Sequence, residues 1–286
     1  MRLTKDNAKK ILTYKKDPED ERDFVFSSTV ECGLDERLCT TPSSVSHIAR
    51  MSPVKDQGNL GSCVGFAVAA MKEWQEESEH AFEVSKGKKD HREGKVYDLS
   101  ESWVYWNSKK IDPWPNEEGT SIRFAMKVLN RLGVPCEGGW EYDDLAKGEP
   151  KSWAHLVARW ARIDSYWRVR NLNELKVALL EGPVVIGIPC FEEIFTVTRK
   201  GYIKYPANSN MIYGGHAVCV TGYDDSHPKH GSVVQFKNSW GERWGAHGYG
   251  FLPYEYINDF LWDAWACKDV KMTKEMLKEN KSLFDL

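Results

Sequence analysis

Between Cys63 and about Glu79 the chain carries Val, Phe, Ala, Met and Trp with no Pro and no Gly beyond Gly65, which predicts a helix buried over its N-terminal half. Ser100 is an N-cap ahead of Trp103, Tyr105 and Trp106, so a second helix is expected to about Lys109. The Lys-, Gly- and Asp-rich stretch 85–95 between them reads as a loop. A third helix runs from about Ser121 to Leu132 and stops at Gly133, with Pro135 beyond. Trp153 to Trp160 is helical by its Ala, Leu and Val spacing, and then the texture changes. Val184-Val185-Ile186-Gly187-Ile188, His216-Ala217-Val218-Cys219-Val220 and Val233-Val234-Gln235-Phe236 are β-branched runs bounded by Gly, Pro and Asp, and predict strands. A helix-rich first half and a strand-rich second half give an α+β chain. Its two lobes, about 46–150 and 151–286, meet at a crevice.

Residues 1–45 read differently. From Lys5 to Arg37 the chain is highly charged, with Pro18 inside an acidic and basic run and one short apolar segment, Phe24-Val25-Phe26. Mixed charge with Pro disfavours packing, so a solvated extension is expected, with at most one strand.

Over 286 residues, 39 Lys and Arg against 42 Asp and Glu leave a net charge of -3, so a nucleic-acid partner is not suggested. The longest apolar or small stretch, Leu60 to Met71, falls short of the roughly 20 residues needed to span a bilayer. The charged N-terminus lacks the apolar core of a secretory signal, which favours an intracellular location over a secreted one. Seven cysteines, at 32, 39, 63, 136, 190, 219 and 267, cannot all pair with one another. Cys219, inside an apolar run, is expected to be a buried free thiol. Cys32 and Cys39 are spaced to close a short loop, a pairing that the absence of a leader disfavours.

Three segments carry candidate chemistry. Asp56-Gln57-Gly58-Asn59-Leu60-Gly61-Ser62-Cys63 sets a Gly-rich turn before the first helix, so the Cys63 thiol sits where orphan N–H groups and the positive end of the macrodipole favour a thiolate. In Gly214-Gly215-His216 an imidazole opens a strand, and in Lys237-Asn238-Ser239-Trp240-Gly241 a strand gives out into a turn. Taken singly, each has an ordinary structural reading: a buried thiol, a core histidine, an aromatic turn. Together they supply nucleophile, base and orienting amide in the order Cys, His, Asn, as an activated thiolate requires.

With Pro53-Val54-Lys55-Asp56-Gln57-Gly58, Gly61-Ser62-Cys63, His216-Ala217-Val218, Asn238-Ser239-Trp240-Gly241, Trp244-Gly245 and Gly248-Tyr249, the chain resembles the papain-like cysteine peptidases over roughly residues 50 to 256. The resemblance implies a two-lobed papain-like fold, with a helical N-terminal lobe and an antiparallel, barrel-like β lobe. It implies a thiol endopeptidase that uses no cofactor and acts on peptide or protein substrates. Cys63 would be the nucleophile, His216 its acid/base partner and Asn238 the residue orienting His216. The Gln57 amide and the Cys63 N–H would be oxyanion donors. Gly119, Ile122, Gly187, Gly214 and Trp240 would line the substrate side, Trp240 also shielding the Asn238–His216 bond, and Gly119 would pair with an extended peptide. Ile122, Gly187 and Gly214 suggest a roomy, apolar pocket, with Glu117 and Glu118 biasing its entrance toward basic side chains, unless both are simply solvated.

The chain departs from the family in places. His216 follows Cys63 by 153 residues and Asn238 follows it by 175, slightly beyond the roughly 130–150 of the family signature. Leu60 stands where the signature has Cys, and Val64 where it has an aromatic residue, so the usual disulfide is missing. Gly215 replaces an acidic neighbour of the histidine found in plant members. About 45 residues precede the matched region, too few for the family's long inhibitory segment. Any self-inhibition is therefore expected from a short piece such as Lys15 to Phe26, lying on or near the cleft. His227-Pro228-Lys229-His230 reads as a hairpin loop rather than a metal site, because no ligand set completes it. Tyr142-Asp143-Asp144 lacks the acidic spacing of a calcium loop. Two other readings compete: a catalytically silent groove that binds peptides or proteins, and a related thiol acyltransferase or cell-wall peptidase.

Overall fold

A computed structural model describes residues 4–26, 41–90, 95–143 and 148–269. The Cys32–Cys39 question lies outside them. The central helix, α2 (Cys63–Ser85), follows a short α1 (Lys5–Ile11) and a short strand β1 (Ser44–Ser46). It is longer than its apolar pattern suggests and is buried from Cys63 to Glu73. Even Lys72 is enclosed, which is tolerable because its ammonium meets Glu76 at 2.7 Å and Asp269 at 2.6 Å. Helices α3 (Glu101–Lys109) and α4 (Ile122–Arg131) pack beside it. Ser100 caps α3 by accepting from the Trp103 N–H at 3.1 Å, as its position anticipates, whereas Ser121 precedes α4 without a side-chain cap. The segment around Trp153 supplies a shorter helix than expected, α5 (Ala154–Ala158).

The second half forms one antiparallel sheet. Strands β2 (Ile163–Arg168), β3 (Val184–Cys190), β4 (Gly214–His227), β5 (Gly231–Lys237), β6 (Tyr249–Pro253) and β7 (Asp263–Asp269) run in the spatial order β2-β7-β3-β4-β5-β6, with β1 pairing β4. The barrel-like expectation is corrected: among the described residues the path is open, with β2 and β6 at its edges. Helices α6 (Leu172–Ala178) and α7 (Tyr254–Phe260) lie on its flank. Residues 228–230 turn between β4 and β5, the hairpin read from the sequence. No helix among the described residues is long and apolar enough to cross a membrane.

Two cores result. One fills the outer face of the sheet; the other joins α2, α3 and α4 to the inner face through Val185, Ala217, Cys219 and Trp265. Cys63 belongs to the second core and Trp240 to the first.

The N-terminal region is not the solvated arm its charges suggest. Thr4 and Asn7 form a capping box on α1, and Ala8, Ile11 and Leu12 enter the sheet-side core. Phe24-Val25-Phe26 makes a single bridge from Val25 to Arg168 rather than a strand, with Phe24 exposed and Phe26 buried.

Candidate active site

The Gly-rich turn delivers Cys63 to the first position of α2, and β4 runs past it, so that the Ala217 N–H lies 3.4 Å from the Cys63 sulfur. His216, one residue earlier, turns Nε2 to Asn238 Oδ1 at 2.8 Å. Because that oxygen also accepts the Ser239 N–H at 2.8 Å, it is fixed as an acceptor, and Nε2 is the protonated nitrogen. Nδ1 is buried without a hydrogen-bond partner, available to exchange a proton. Trp240 is fully enclosed and stacks on the imidazole, ring centroids 4.3 Å apart, closing the Asn238–His216 bond to water.

Gln57 is equally fixed. Its Oε1 accepts from Ser239 Oγ at 2.6 Å and its amide donates to Leu60 O at 2.8 Å, which leaves one amide hydrogen uncommitted. Two supports escaped the sequence reading, although Lys237 and Tyr142 stand in segments it singled out, because their roles depend on partners distant in sequence. Tyr142 donates to the Gln57 carbonyl at 2.6 Å and lies 2.8 Å from Ser62 Oγ, bracing the turn before Cys63. Lys237, preceding Asn238, is buried and donates to Ser52 at 2.7 Å, while Ser52 bonds Glu73 on α2. The strand end that carries Asn238 is thereby tied to the helix that carries Cys63.

The chain's own N-terminus packs against the residues expected to form the substrate wall. The Tyr14 N–H donates to Gly215 O and the Lys15 N–H to Thr120 O, each at 3.0 Å, and Thr13 Oγ1 donates to Gly61 O at 3.2 Å. The approach is so close that Gly119 and Gly214 have no room for a side chain. A Cβ on Gly119, whose φ is +81°, would fall 1.9 Å from Thr13 O, and one on Gly214 2.2 Å from Leu12 O. Gly187 faces the Tyr14 ring, and Ile122 belongs to the core cluster that includes Tyr14. Trp240, grouped with these from the sequence, instead lies beneath the imidazole. Glu117 forms an ion pair with Lys15, and Glu118 accepts from the Tyr105 hydroxyl at 3.1 Å. The covering segment thus begins at α1 and Leu12, earlier than the expected Lys15.

Burial sets the electrostatics. Cys63 and His216 are both enclosed, and burial penalises their charged forms. Loss of solvent pushes the Cys63 thiol up to about 12, against the opposing pull of the Ala217, Val64 and Cys63 N–H groups. Burial likewise lowers His216 to about 4, although its bond to Asn238 favours the cation. Burial therefore opposes the helix-terminal argument for a thiolate and favours the neutral form of each group.

Comparison with known proteins gives a consistent picture. The papain family cysteine protease profile matches residues 41–256. An uncharacterized peptidase C1-like protein of Acanthamoeba polyphaga mimivirus is 30% identical over 250 residues, 82% of this chain and 73% of its own. Cysteine proteinase 1 of Entamoeba histolytica is 28% identical over 207 residues, 70% of this chain, and the match spans 59% of the Entamoeba protein. The crystal structure of xylellain, a cysteine protease from Xylella fastidiosa, is similar with a TM-score of 0.75 and 28% identity, over 92% of this chain and 97% of that one. With a matched profile that covers most of its length and a two-lobed fold shared with xylellain, the chain belongs to the papain family of cysteine proteases.

Proposed function

We propose that the chain hydrolyses peptide bonds through Cys63, His216 and Asn238, and that residues 4–17 must leave the cleft before it does so. The observation that carries this reading is the buried His216–Asn238 bond, 2.8 Å long, one residue from the amide that touches the Cys63 sulfur.

Once solvent reaches the cleft, the thiol proton passes to His216 Nδ1, and the charge pair is favoured by the α2 terminus and the backbone donors around the sulfur. The thiolate attacks the substrate carbonyl carbon, and negative charge builds on its oxygen, where the spare Gln57 amide hydrogen and the Cys63 N–H receive it. His216 then gives its proton to the leaving amine as the C–N bond breaks, leaving a thioester on Cys63. Water loses a proton to His216, attacks the thioester carbon, and releases the acid and the thiol.

Residues 4–17 act as an intramolecular plug that occupies the wall and keeps the pair neutral. The test is peptide-library hydrolysis by the full chain, before and after limited proteolysis within residues 1–45, beside Cys63→Ala. Turnover that appears on arm removal and is absent from Cys63→Ala supports the proposal; turnover surviving in Cys63→Ala refutes it.

A further inference from the structure

We propose that Asp263 is the specificity-determining residue of the cleft and that it selects a tyrosine side chain of the substrate, through the phenol hydroxyl, over phenylalanine and over basic side chains. This rests on the peptidase reading above.

Tyr14 shows what the pocket accepts. Its ring is almost fully buried and stacks on Trp262, with centroids 6.3 Å apart and planes 27° from parallel. A Cβ on Gly187 would lie 2.1 Å from the Tyr14 ring, so glycine there leaves room for an aromatic ring. At the far end the phenol hydroxyl donates to Asp263 Oδ2 at 2.6 Å. Asp263 opens β7, and its other oxygen is held by Arg168 Nη1 at 2.9 Å. One carboxylate oxygen is thus committed to the scaffold and the other faces the pocket as an acceptor.

The apolar pocket expected from Ile122, Gly187 and Gly214 therefore has a polar floor. A phenylalanine of the same shape would bury that acceptor unpaired, which is how buried polar sites discriminate against isosteres. The surrounding charges also argue against a basic side chain. Asp17 bonds Asp263 Oδ2 through its N–H at 2.9 Å and places a carboxylate oxygen 3.8 Å from Arg168. Asp23 pairs with both Arg123 and Arg168. Both aspartates belong to the N-terminal segment. When residues 4–17 leave, Asp17 goes with them, while Asp23 stays paired with Arg123 and Arg168 and Asp263 with Arg168, so a substrate Lys or Arg meets no unpaired carboxylate. A neutral hydroxyl donor needs none.

The experiment uses Tyr14→Ala and Tyr14→Ala/Asp263→Ala, each prepared as the full chain and then freed of its arm by the limited proteolysis above, so that neither the Tyr14 ring nor the Asp17 N–H occupies the Asp263 acceptor. A positional-scanning peptide library compares Tyr, Phe, Arg and Lys at each substrate position. Tyr is expected to exceed Phe in kcat/KM by about 10- to 100-fold at one position, the worth of a hydrogen bond to a charged acceptor. In the double variant that preference falls to near unity while Phe turnover persists, which also reports that the variant folds. Equal turnover of Tyr and Phe at every position, or a preference for Arg or Lys at the position that discriminates, overturns the inference. A second readout needs no catalysis: binding of p-cresol against toluene to both variants. Selective p-cresol binding lost in the double variant supports the inference even if no peptide is cut, an outcome that would refute the peptidase reading alone. Equal binding of the two probes to Tyr14→Ala overturns it.

Discussion

The proposed catalytic pair and the two residues that anchor its cover, Tyr14 and Asp17, are all buried, by opposite means. Around Cys63 and His216 the enclosure is made of backbone amides, Asn238, Trp240 and apolar neighbours, with no ion pair to either group among the described residues. Around Tyr14 and Asp17 it is made of charge: Asp263, Arg168, Arg123 and Asp23, with Ser121 and Trp265 donating to Asp17. The first environment suppresses charge. The second compensates it, because truncating one partner of a buried charged network strands the others. The proposed plug thus holds an apolar centre by an attachment that is itself polar, and the two should respond to different perturbations.

Cys63→Ala breaks the centre alone. Peptide turnover should fall to background, a loss of about a millionfold by analogy with removal of other nucleophiles, with an unchanged circular dichroism spectrum. Gln57→Ala, assayed after arm removal, should lower kcat by about 100- to 1,000-fold, because one oxyanion donor is lost. Tyr14→Ala attacks the cover instead. Deleting a buried aromatic side chain and its bond to Asp263 should raise initial turnover by the full chain about 100-fold, read as a progress curve without the lag of the wild type.

The smallest effect is in the pH dependence of docking. Burial, reinforced by the nearby Asp263, raises Asp17 to about 6. Against a free value of about 3.9, the covered state takes up a proton there, and this contribution to docking fades as pH rises through about 6. Burial lowers His216 and raises Cys63, so covering returns a proton from the imidazolium to the thiolate and the pair exchanges no net proton at neutral pH. Protection of the cleft from protease or alkylating agent should therefore strengthen as pH falls through about 6, and Asp17→Asn should flatten that dependence.

Much of this was legible in the sequence, and the exceptions have physical reasons. Cys63, His216, Asn238 and Gln57 stand in local motifs that the chemistry constrains, so their segments were readable without coordinates. The three main helices and the three β-branched strands followed from pattern. Helix α2 ran past its expected end at Glu79 through His80, Glu83 and Ser85, which bond Asp90, Lys88 and the Phe82 carbonyl, contacts that no apolar periodicity reveals. The N-terminal region misled because Lys5, Lys9 and Lys10 lie exposed on the outer face of α1 and dominate its composition. The signal that marked it as packed was the Ala8, Ile11 and Leu12 spacing behind a Thr4–Asn7 cap. Tyr142 and Asp263 are single residues whose roles arise from the approach of distant segments, which sequence spacing does not encode.

The account turns on whether covering the cleft keeps Cys63 uncharged and uncovering it charges the thiol. The direct measurement is the pH dependence of Cys63 alkylation by iodoacetamide, followed by peptide mass, in the full chain and after proteolytic removal of the arm. The covered protein should react at Cys63 only at strongly alkaline pH, consistent with a thiol raised to about 12, and the uncovered protein should react rapidly below pH of about 7. Rapid alkylation of Cys63 at neutral pH with the arm in place, or an unchanged profile after its removal, would contradict it.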